Sequence, residues 1–234
     1  QDASQADGLY PLALNRKYFF LYAVPSVIQN PRQTAKILAP LLTLDEDVLY
    51  EKFRKERDPW EPLKHRVDED AWNGIRALQL PGIAAVAEPW RYYPEKSFAS
   101  HALGFVGFSN ETHRGQYGVE GYFDTMLRGK EGTFRFARDA KGVAIVSADQ
   151  NIVPAEDGAD IVLTIDRHVQ FSACASLQSA VERHEATGGS VIIMDPSTGA
   201  VRAMCSVPNF DPNMYNEVKD GSVFNNPAIF MDYE

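Results

Sequence analysis

At 234 residues the chain exceeds the roughly 100 to 200 residues typical of one domain, so two structural units are expected. Hydrophobic residues make up 44% of it and charged residues 24%, a balance that excludes a disordered tail and a membrane-embedded bundle. The formal net charge of -9, with lysines and arginines scattered along the chain, excludes a nucleic-acid surface, because phosphate binding depends on clustered basic residues.

Membrane and leader signals are weak in this sequence. No stretch contains the ~18 consecutive apolar residues that a membrane-spanning helix needs. The most apolar stretch, Tyr18 to Ile28, is interrupted by Pro25, and no signal peptide is recognisable. Because the chain opens on Gln1 rather than on methionine, the sequence leaves open an N-terminal anchor in the native protein.

The first predicted elements are a strand and a helix. Apolar and aromatic side chains fall at even positions from Leu12 to Val24, the alternation that a half-buried strand needs, and only Arg16 breaks the pattern. Asn30 followed by Pro31 is a typical helix start. The residues that follow at helical spacing and would form its apolar face are Ala35, Leu38, Ala39 and Leu42.

Two further helices and a returning strand are predicted next. Thr43 and Glu46 form a capping-box pattern, which predicts a second short helix. Asp68 can cap a third helix that runs through Leu78. The segment from Ile83 to Val86 could then return as a strand, so this region mixes helices with strands.

The segment from His101 to Gly132 is rich in glycine, which indicates tight turns and close backbone packing. It contains no GxGxxG or Walker pattern, so phosphate binding is not indicated. The composition changes near Pro154, where the polar segment Ala155 to Gly158 precedes an apolar run. This change predicts a domain boundary there.

Beyond this boundary the sequence predicts a helix and a hairpin. Asp166 can cap a long amphipathic helix that Gly188-Gly189 would end. Two short strands, Ser190 to Met194 and Ala200 to Ser206, are joined by a turn-rich connection of hairpin length. An amphipathic helix followed by an antiparallel hairpin is typical of the opening of an α+β domain.

Three motifs occur in a fixed order: Arg91-Tyr92-Tyr93-Pro94, the stretch from His101 to Gly107, and Gly118-Val119-Glu120. The chain thereby resembles the class B penicillin-binding proteins, bacterial wall-crosslinking transpeptidases. Their membrane-proximal pedestal carries Arg-x-Tyr-Pro, His-x-x-Gly-Tyr/Phe-Val-Gly and Gly-x-Glu in this order. At the start the resemblance is weaker, because Asp7-Gly8 matches only the tail of the family's first motif.

The resemblance continues through the second half of the chain. Its segments are 127–132, 138–142, Leu163-Thr164-Ile165-Asp166 with Gln170, 195–199 and 208–213. It implies a mixed α/β pedestal over residues 1–154, followed over residues 155–234 by the N-terminal part of the transpeptidase domain. The implied fold class is α+β, with the second domain represented only by its first helix and β-hairpin.

The catalytic apparatus of the family is missing from this chain. Penicillin-recognising enzymes use the serine of a Ser-x-x-Lys motif, together with Ser-x-Asn and Lys-Thr-Gly. No serine here has a lysine three residues later, and no Lys-Thr-Gly occurs. Residues 226–229 and Tyr233-Glu234 resemble the family's approach to Pro-Gly-Ser-x-x-Lys, so the chain is expected to stop just before the serine. No catalytic residue is assigned, and the chain alone is expected to be inactive.

The resemblance also implies a polar junction that fixes the pedestal relative to the catalytic domain. Its candidate residues are Arg91, Tyr93, Pro94, Gly118 and Glu120. The alternative for Arg91 and Glu120 is that both are ordinary surface charges, which contribute little to stability. For Trp90 and its two tyrosine neighbours, packing within the pedestal is favoured over stacking on a sugar or peptide.

No cofactor or metal is implied. The five histidines never fall at HxxxH or HExxH spacing. Cys174 and Cys205 form no CxxC motif and are expected to be free thiols packed as small hydrophobic residues, with a bridge between helix and hairpin as the alternative.

Two functional readings follow. In the first, the parent protein is a D,D-transpeptidase that binds peptidoglycan stem peptides and β-lactams through the missing catalytic part. In the second, the chain is a non-catalytic interaction module for a membrane glycan polymerase or other elongation or division proteins. Both place it on the extracytoplasmic face of the bacterial membrane, held by an N-terminal anchor. The sequence does not distinguish elongation from division, or identify the partner.

Overall fold

The computed structural model describes residues 9–55, 58–109, 112–130, 132–135, 137–138, 144–145 and 151–230. The motif residues Asp7-Gly8, most of the segment 138–142, and Tyr233-Glu234 lie outside the described residues. Two compact units are present: Ala13–Tyr92, and a second made of Gln1–Leu12 with Tyr93–Glu234. The expected boundary at residues 154 and 155 falls inside the second unit and stays a prediction.

The unit Ala13–Tyr92 is a three-stranded antiparallel sheet with helices on one face. Its elements are β1 (Leu14–Ala23), a 3-10 helix (Pro25–Val27), α1 (Pro31–Leu42), α2 (Glu46–Phe53), β2 (Glu61–Val67), α3 (Glu69–Ala77) and β3 (Ile83–Tyr92). The strand order is β2-β1-β3, so β1 is central. The predicted first strand is confirmed, and the returning strand is longer than expected. Strand β2 is a further element that the sequence reading did not include.

The core of this unit lies on the odd-numbered side of β1. Phe19, Leu21 and Ala23 are buried there and pack with Leu38 and Leu42 of α1. Full burial of such side chains stabilises the fold by about 1.5 to 3 kcal/mol each. The even-numbered residues of β1, whose alternation predicted the strand, lie on the opposite face of the sheet. The three α-helices pack their apolar residues against the odd-numbered face.

Side-chain caps begin each α-helix of this unit. Asn30 accepts a hydrogen bond from the Gln33 N–H at 3.2 Å, as expected. The expected capping box of Thr43 is wrong: Thr43 ends α1 in the left-handed conformation with φ 54°. Asp45 caps α2 instead, because its carboxylate reaches the exposed N–H groups of the first turn. Asp68 caps α3 as expected.

The second unit combines small antiparallel sheets with one long helix. Its elements are α4 (Ser100–Leu103), β4 (Phe105–Ser109), β5 (Thr112–Gln116), α5 (Gly118–Tyr122), α6 (Asp124–Leu127), β6 (Thr133–Arg135), β7 (Ala137–Arg138), β8 (Ala144–Ile145), β9 (Asn151–Val153), α7 (Arg167–Arg183), β10 (Gly189–Met194), β11 (Val201–Val207) and α8 (Pro227–Phe230), with 3-10 helices at Pro212–Glu217 and Gly221–Phe224. The paired strands are β4 with β5, β6 with β9, β7 with β8, and β10 with β11. The α+β class and the predicted helix and hairpin are confirmed.

The expected polar linker is held by a backbone pair. The N–H of Lys130 donates to the Glu156 carbonyl at 2.9 Å, and the Glu156 N–H donates back at 3.0 Å. Gly129 and Gly158 flank this bridge, and a Cβ atom on Gly158 would overlap the Leu127 carbonyl oxygen. Glycine is therefore required where the two segments approach.

Helix α7 packs on the hairpin β10-β11. Asp166 caps the helix by accepting from the His168 and Val169 N–H groups at 2.9 and 3.0 Å. A Cβ atom on Gly189 would lie 3.1 Å from a Leu177 methyl carbon, so the start of β10 lies close against the helix.

Cys174 of α7 and Cys205 of β11 form a disulfide, so the expected free thiols are wrong. Their Cα atoms are 5.6 Å apart, within the range that a disulfide requires. The relative rotation of a helix over a hairpin decides which side chains meet. The sequence spacing does not contain that information.

Among the described residues, no helix is both long enough and apolar enough to cross a membrane. This finding leaves the expectation of an N-terminal anchor untested.

The disulfide gives a prediction on stability. Replacing both Cys174 and Cys205 by alanine should lower the free energy of unfolding by about 3 to 4 kcal/mol, because the unfolded chain regains the freedom of a 31-residue separation. Urea titration of the variant and of the unreduced, unsubstituted chain measures the difference in the free energy of unfolding. Thiol counting on the denatured, unreduced chain without substitutions should find no reactive thiol. Two reactive thiols would contradict the disulfide.

Candidate interdomain junction

Two glycines bring the motif segments of the second unit together. Gly118, at the start of α5, has φ +46°, and a Cβ atom there would lie 2.5 Å from the Ala102 carbonyl oxygen. Gly104 has φ +74°, and a Cβ atom there would overlap the Tyr117 carbonyl oxygen. Only glycine combines this conformation with such close approach. The close packing therefore explains why the first residue of the Gly-x-Glu motif, Gly118, is a glycine.

Tyr93 is joined to the loop after the hairpin by a pair of hydrogen bonds. Its N–H donates to Asn213 Oδ1 at 3.0 Å, and Asn213 Nδ2 donates to the Tyr93 carbonyl at 2.9 Å. The amide of Asn213 thus satisfies both backbone groups of a residue 120 positions away. Asp211 orients this amide by accepting from Asn213 Nδ2 at 2.8 Å.

The Tyr93 ring continues the junction toward Glu120. Its hydroxyl accepts from the Val106 N–H at 2.9 Å and donates to Glu120 Oε1 at 3.4 Å. Tyr93 is 2% exposed and Glu120 3% exposed, so both polar groups are buried within the unit. Burial of a carboxylate is costly unless it is hydrogen-bonded, which explains why the phenol lies beside it. The surface-charge alternative is therefore wrong for Glu120.

An aromatic cluster packs beside this network. The Phe105 ring stacks on Tyr215 with centroids 4.7 Å apart and planes inclined by 13°. Phe224 and Phe210 meet the same ring at 4.8 and 6.0 Å. These contacts join β4 to the two 3-10 helices that follow the hairpin. Both sides of the expected boundary at residue 154 therefore share one apolar core.

His101 lies in this core. It is 4% exposed, its Nε2 lies 2.9 Å from the Val223 carbonyl oxygen, and it meets the Phe210 ring edge-on at 5.3 Å. Burial lowers the pKa of His101 below its ordinary value, against the opposing effect of the Val223 carbonyl.

Gln170 repeats the Asn213 arrangement within α7. Its Nε2 donates to the Met204 carbonyl at 2.9 Å, and the Met204 N–H donates to Gln170 Oε1 at 2.8 Å. The side chain is fully buried beside the disulfide. This contact fixes α7 against β11, and it accounts for the glutamine in the matched segment.

A partly exposed ionic cluster lies at the start of α7. Arg167 donates to Glu95 at 3.1 Å, and its guanidinium lies 4.4 Å from the centre of the Tyr10 ring. Tyr10 also donates to Glu95. The hydrogen bond from the Tyr10 hydroxyl, and to a lesser extent the hydrogen bond and charge of Arg167, hold the pKa of Glu95 below its ordinary value. Partial desolvation acts in the opposite direction. Since the groups remain solvated, their contribution to stability is small.

The junction residues are distributed unequally between the units. Tyr93, Glu120, Gly118 and Pro94 lie in the second unit, where the first two are in direct contact. Arg91 lies in β3 of the other unit, where it donates to Asn15 at 3.2 Å. Its expected coupling to Glu120 stays a prediction.

Sequence reasoning matched the loop 208–213 but did not assign a role to its polar residues. The signal was present in Asp211-Pro212-Asn213, where two side chains with backbone-bonding capacity flank a proline. Within the described part of the chain, no group of three or more His, Cys, Asp or Glu side chains could hold a metal ion.

Comparison with known proteins gives a family match over most of the chain. Residues 7–163 match the model described as the Penicillin-binding Protein dimerisation domain. The chain is 34% identical over 226 residues to Stage V sporulation protein D of Bacillus subtilis, covering 95% of this chain and 34% of that protein. It is 31% identical over 206 residues to the probable peptidoglycan D,D-transpeptidase PenA of Neisseria meningitidis serogroup A, covering 86% and 35%.

A solved structure shares the fold. In the complex between Penicillin-Binding Protein (PBP2) and MreC from Helicobacter pylori, the match has a TM-score of 0.67 at 19% identity and covers 94% of this chain and 45% of that one. The present chain spans about a third of the length of the curated relatives it matches.

The amide of Asn213 gives a second prediction. Asn213→Ala should lower the free energy of unfolding by about 1 to 3 kcal/mol, because the Tyr93 N–H loses this partner, whereas the Tyr93 carbonyl still accepts from the Lys96 N–H at 3.2 Å. The exposed Asn209→Ala is the matched control and should change stability by less than about 0.5 kcal/mol. Equal effects of both substitutions in urea titration would contradict the role of Asn213.

His101 gives a prediction on pH. Because the pKa of this residue is lowered by folding, the unfolded chain binds a proton more readily below about pH 6.5, and stability is lost as the pH falls from there toward the folded-state pKa. Thermal unfolding between pH 8 and pH 5 should show this loss in the parent chain. In His101→Gln the loss should be smaller, and an unchanged pH dependence would contradict the assignment.

Proposed function

Because the chain belongs to the class B penicillin-binding proteins, we propose that it forms the pedestal and the opening of the catalytic domain of a peptidoglycan D,D-transpeptidase. The observation that carries this proposal is the paired hydrogen bonding of Asn213 with Tyr93, since it joins the Arg-x-Tyr-Pro motif to the loop after the hairpin. A pedestal that positions a catalytic domain needs such a fixed connection.

The proposed reaction belongs to the whole parent protein. Its serine attacks the D-Ala-D-Ala bond of a stem peptide, D-alanine leaves, and an amine of a neighbouring strand then takes the acyl group. β-Lactams acylate the same serine. Because this chain contains no Ser-x-x-Lys, it holds neither the nucleophile nor its base, and its role is to position rather than to react.

An open apolar groove supports the assignment of α7 and the hairpin to a larger domain. The groove has a volume of about 690 Å³, and its apolar lining includes Val169, Ala173, Leu177, Val191 and Ile193. A two-stranded hairpin is only marginally stable by itself, so further strands are expected beside it. We assign the covering of this groove to the remainder of the transpeptidase domain in the longer parent.

The disulfide supports an extracytoplasmic location. Disulfides persist in oxidising compartments and are rare in the cytosol. The pair Cys174 and Cys205 is therefore compatible with the outer face of the membrane, where the proposed substrate lies. We assign attachment to the membrane to an N-terminal anchor in the parent.

A second candidate function is that of a non-catalytic interaction module. The Helicobacter pylori structure, in which a penicillin-binding protein is complexed with MreC, supports the idea that this pedestal also meets an elongation protein. A membrane glycan polymerase or a division protein is the alternative partner. Both functions can hold together, because partner binding by the pedestal does not require the catalytic serine.

Labelling with a fluorescent β-lactam tests the enzyme proposal. The present chain should show no stable covalent labelling. A longer chain of the same parent that includes its Ser-x-x-Lys segment should be labelled and should also be more stable, because added strands cover the α7 groove. Replacing its serine by alanine should abolish labelling while leaving the melting temperature within a few degrees. A stable but unlabelled longer chain would refute the proposal that the longer protein is a D,D-transpeptidase.

Hydrogen exchange tests the junction proposal. Arg91→Ala and Glu120→Ala should each increase amide exchange across residues 155–160, because loosening the junction exposes the paired linker. The exposed residues Arg76 and Glu217 provide matched alanine controls, which should leave this exchange unchanged. If neither junction variant changes the exchange, the coupling role is wrong.

A further inference from the structure

Three separate segments of the second unit meet at one carboxylate, that of Glu95. Tyr10 lies on the segment 9–12, which leads the chain toward β1, and Glu95 lies on the segment that follows β3. Arg167 is the first residue of α7. All three residues belong to the same compact unit, and we call them the Glu95 cluster.

The two partners of Glu95 share one of its oxygens. The Tyr10 hydroxyl donates to Oε1, and Nη2 of Arg167 donates to the same atom at 3.1 Å. The Arg167 guanidinium also lies 4.4 Å from the centre of the Tyr10 ring, within the range of a cation–π contact. Each member therefore contacts the other two, although Glu95 is 85 positions from Tyr10 and 72 from Arg167.

The place of Arg167 on its helix needs a tertiary explanation. A helix N-terminus carries a partial positive charge, so a cation in the first turn is locally unfavourable. Apart from the N-cap Asp166, no acidic residue in this turn offsets the charge. The cap and the hydrogen bonds of Gln170 already fix the start of α7, so the helix does not need Arg167 in order to form. The contacts with Glu95 and Tyr10 account for an arginine at this position.

The Glu95 cluster is too exposed to be a main source of stability. The side chains of Arg167 and Glu95 are 46% and 26% exposed, and exposed ion pairs contribute little. Weak contacts can nevertheless determine where an irregular segment lies. The described residues 9–12 form neither helix nor strand, so their placement depends on such contacts.

We propose that Tyr10, Glu95 and Arg167 are positioning residues of the parent enzyme, which hold the segment leading into the pedestal against the first turn of α7. This inference rests on the proposed function, which assigns α7 to the transpeptidase domain. The cluster ties that domain to the chain on the N-terminal side of the pedestal, where the proposed membrane anchor lies. It thereby limits how far the domain can turn relative to the anchor.

Nitrogen-15 relaxation of the segment 9–12 tests the contact on the present chain. Backbone order parameters near about 0.85 are expected without substitution, and values below about 0.6 in Arg167→Ala, because the segment is released. Arg183 is exposed in the last turn of the same helix, so Arg183→Ala is the matched control and should leave the segment ordered. Both variants should melt within a few degrees of the unsubstituted chain, because the cluster adds little stability.

Conservative and exchanged variants separate the contact from general damage. Tyr10→Phe keeps the ring but loses the donor, and Arg167→Lys keeps the charge but loses the planar guanidinium, so each should release the segment only in part. Glu95→Arg and Arg167→Glu should each release it, and the double variant should restore its order by rebuilding the ion pair with exchanged charges. Unchanged order in Arg167→Ala, equal loss in Arg183→Ala, or no recovery in the double variant would overturn the contact.

Two activities of the longer, membrane-anchored parent test the positioning role. Arg167→Ala should lower the rate of crosslinking of membrane-bound glycan strands by about threefold to tenfold, because reacting groups on a polymer must be brought to the site in the right place. The rate of labelling by a soluble fluorescent β-lactam should stay the same, since a small molecule diffuses to the serine in any orientation of the domain. Unchanged crosslinking, or an equal loss of both rates, would overturn the positioning role.

The proposed function and the role of the Glu95 cluster fail on different results. The order of the segment 9–12 is measured on the present chain, which has no nucleophile, whereas labelling is measured on the longer parent. A stable but unlabelled parent would remove the transpeptidase and with it the positioning role in that enzyme. A labelled parent in which Arg167→Ala leaves both the segment order and the crosslinking unchanged would remove the role of the cluster alone.

Discussion

The paired hydrogen bonds between the Asn213 amide and the Tyr93 backbone are the constraint on which the second unit depends. Tyr93 follows β3 directly, so its backbone groups are not part of the β1-β3 ladder; its carbonyl also accepts from the Lys96 N–H at 3.2 Å, whereas its N–H is bonded by Asn213. Each buried backbone group without a partner would cost about 1 to 3 kcal/mol. Once Asn213 satisfies both, the Tyr93 ring is directed to Val106 and Glu120, and the aromatic cluster forms beside it.

The same chemical requirement explains why these positions carry side-chain amides. An amide contains a donor and an acceptor side by side, as the backbone does, whereas an ionised carboxylate only accepts. Gln170 uses this property against Met204, and Asn213 uses it against Tyr93. An acidic residue at either place would face a carbonyl oxygen with no proton to share. The side-chain amides of Asn213 and Gln170 therefore make the same paired hydrogen bonds to a backbone that a neighbouring strand makes in a sheet.

Local features of this fold were predictable from the sequence, whereas contacts between distant segments were not. Asn30, Asp68 and Asp166 each cap the helix that their sequence context predicted, because capping involves only the next three residues. Tyr93 and Glu120 were named through family motifs, but their contact through the phenol depends on tertiary packing. The bond between Cys174 and Cys205 depends likewise on how α7 lies over the hairpin.

Strand β1 shows why an alternating pattern can mislead about burial. In its second half both faces are apolar or aromatic: Phe19 and Leu21 belong to the core, while Phe20 and Tyr22 lie on the opposite face beside Trp60. Alternation identifies a core face only when the opposite face is polar.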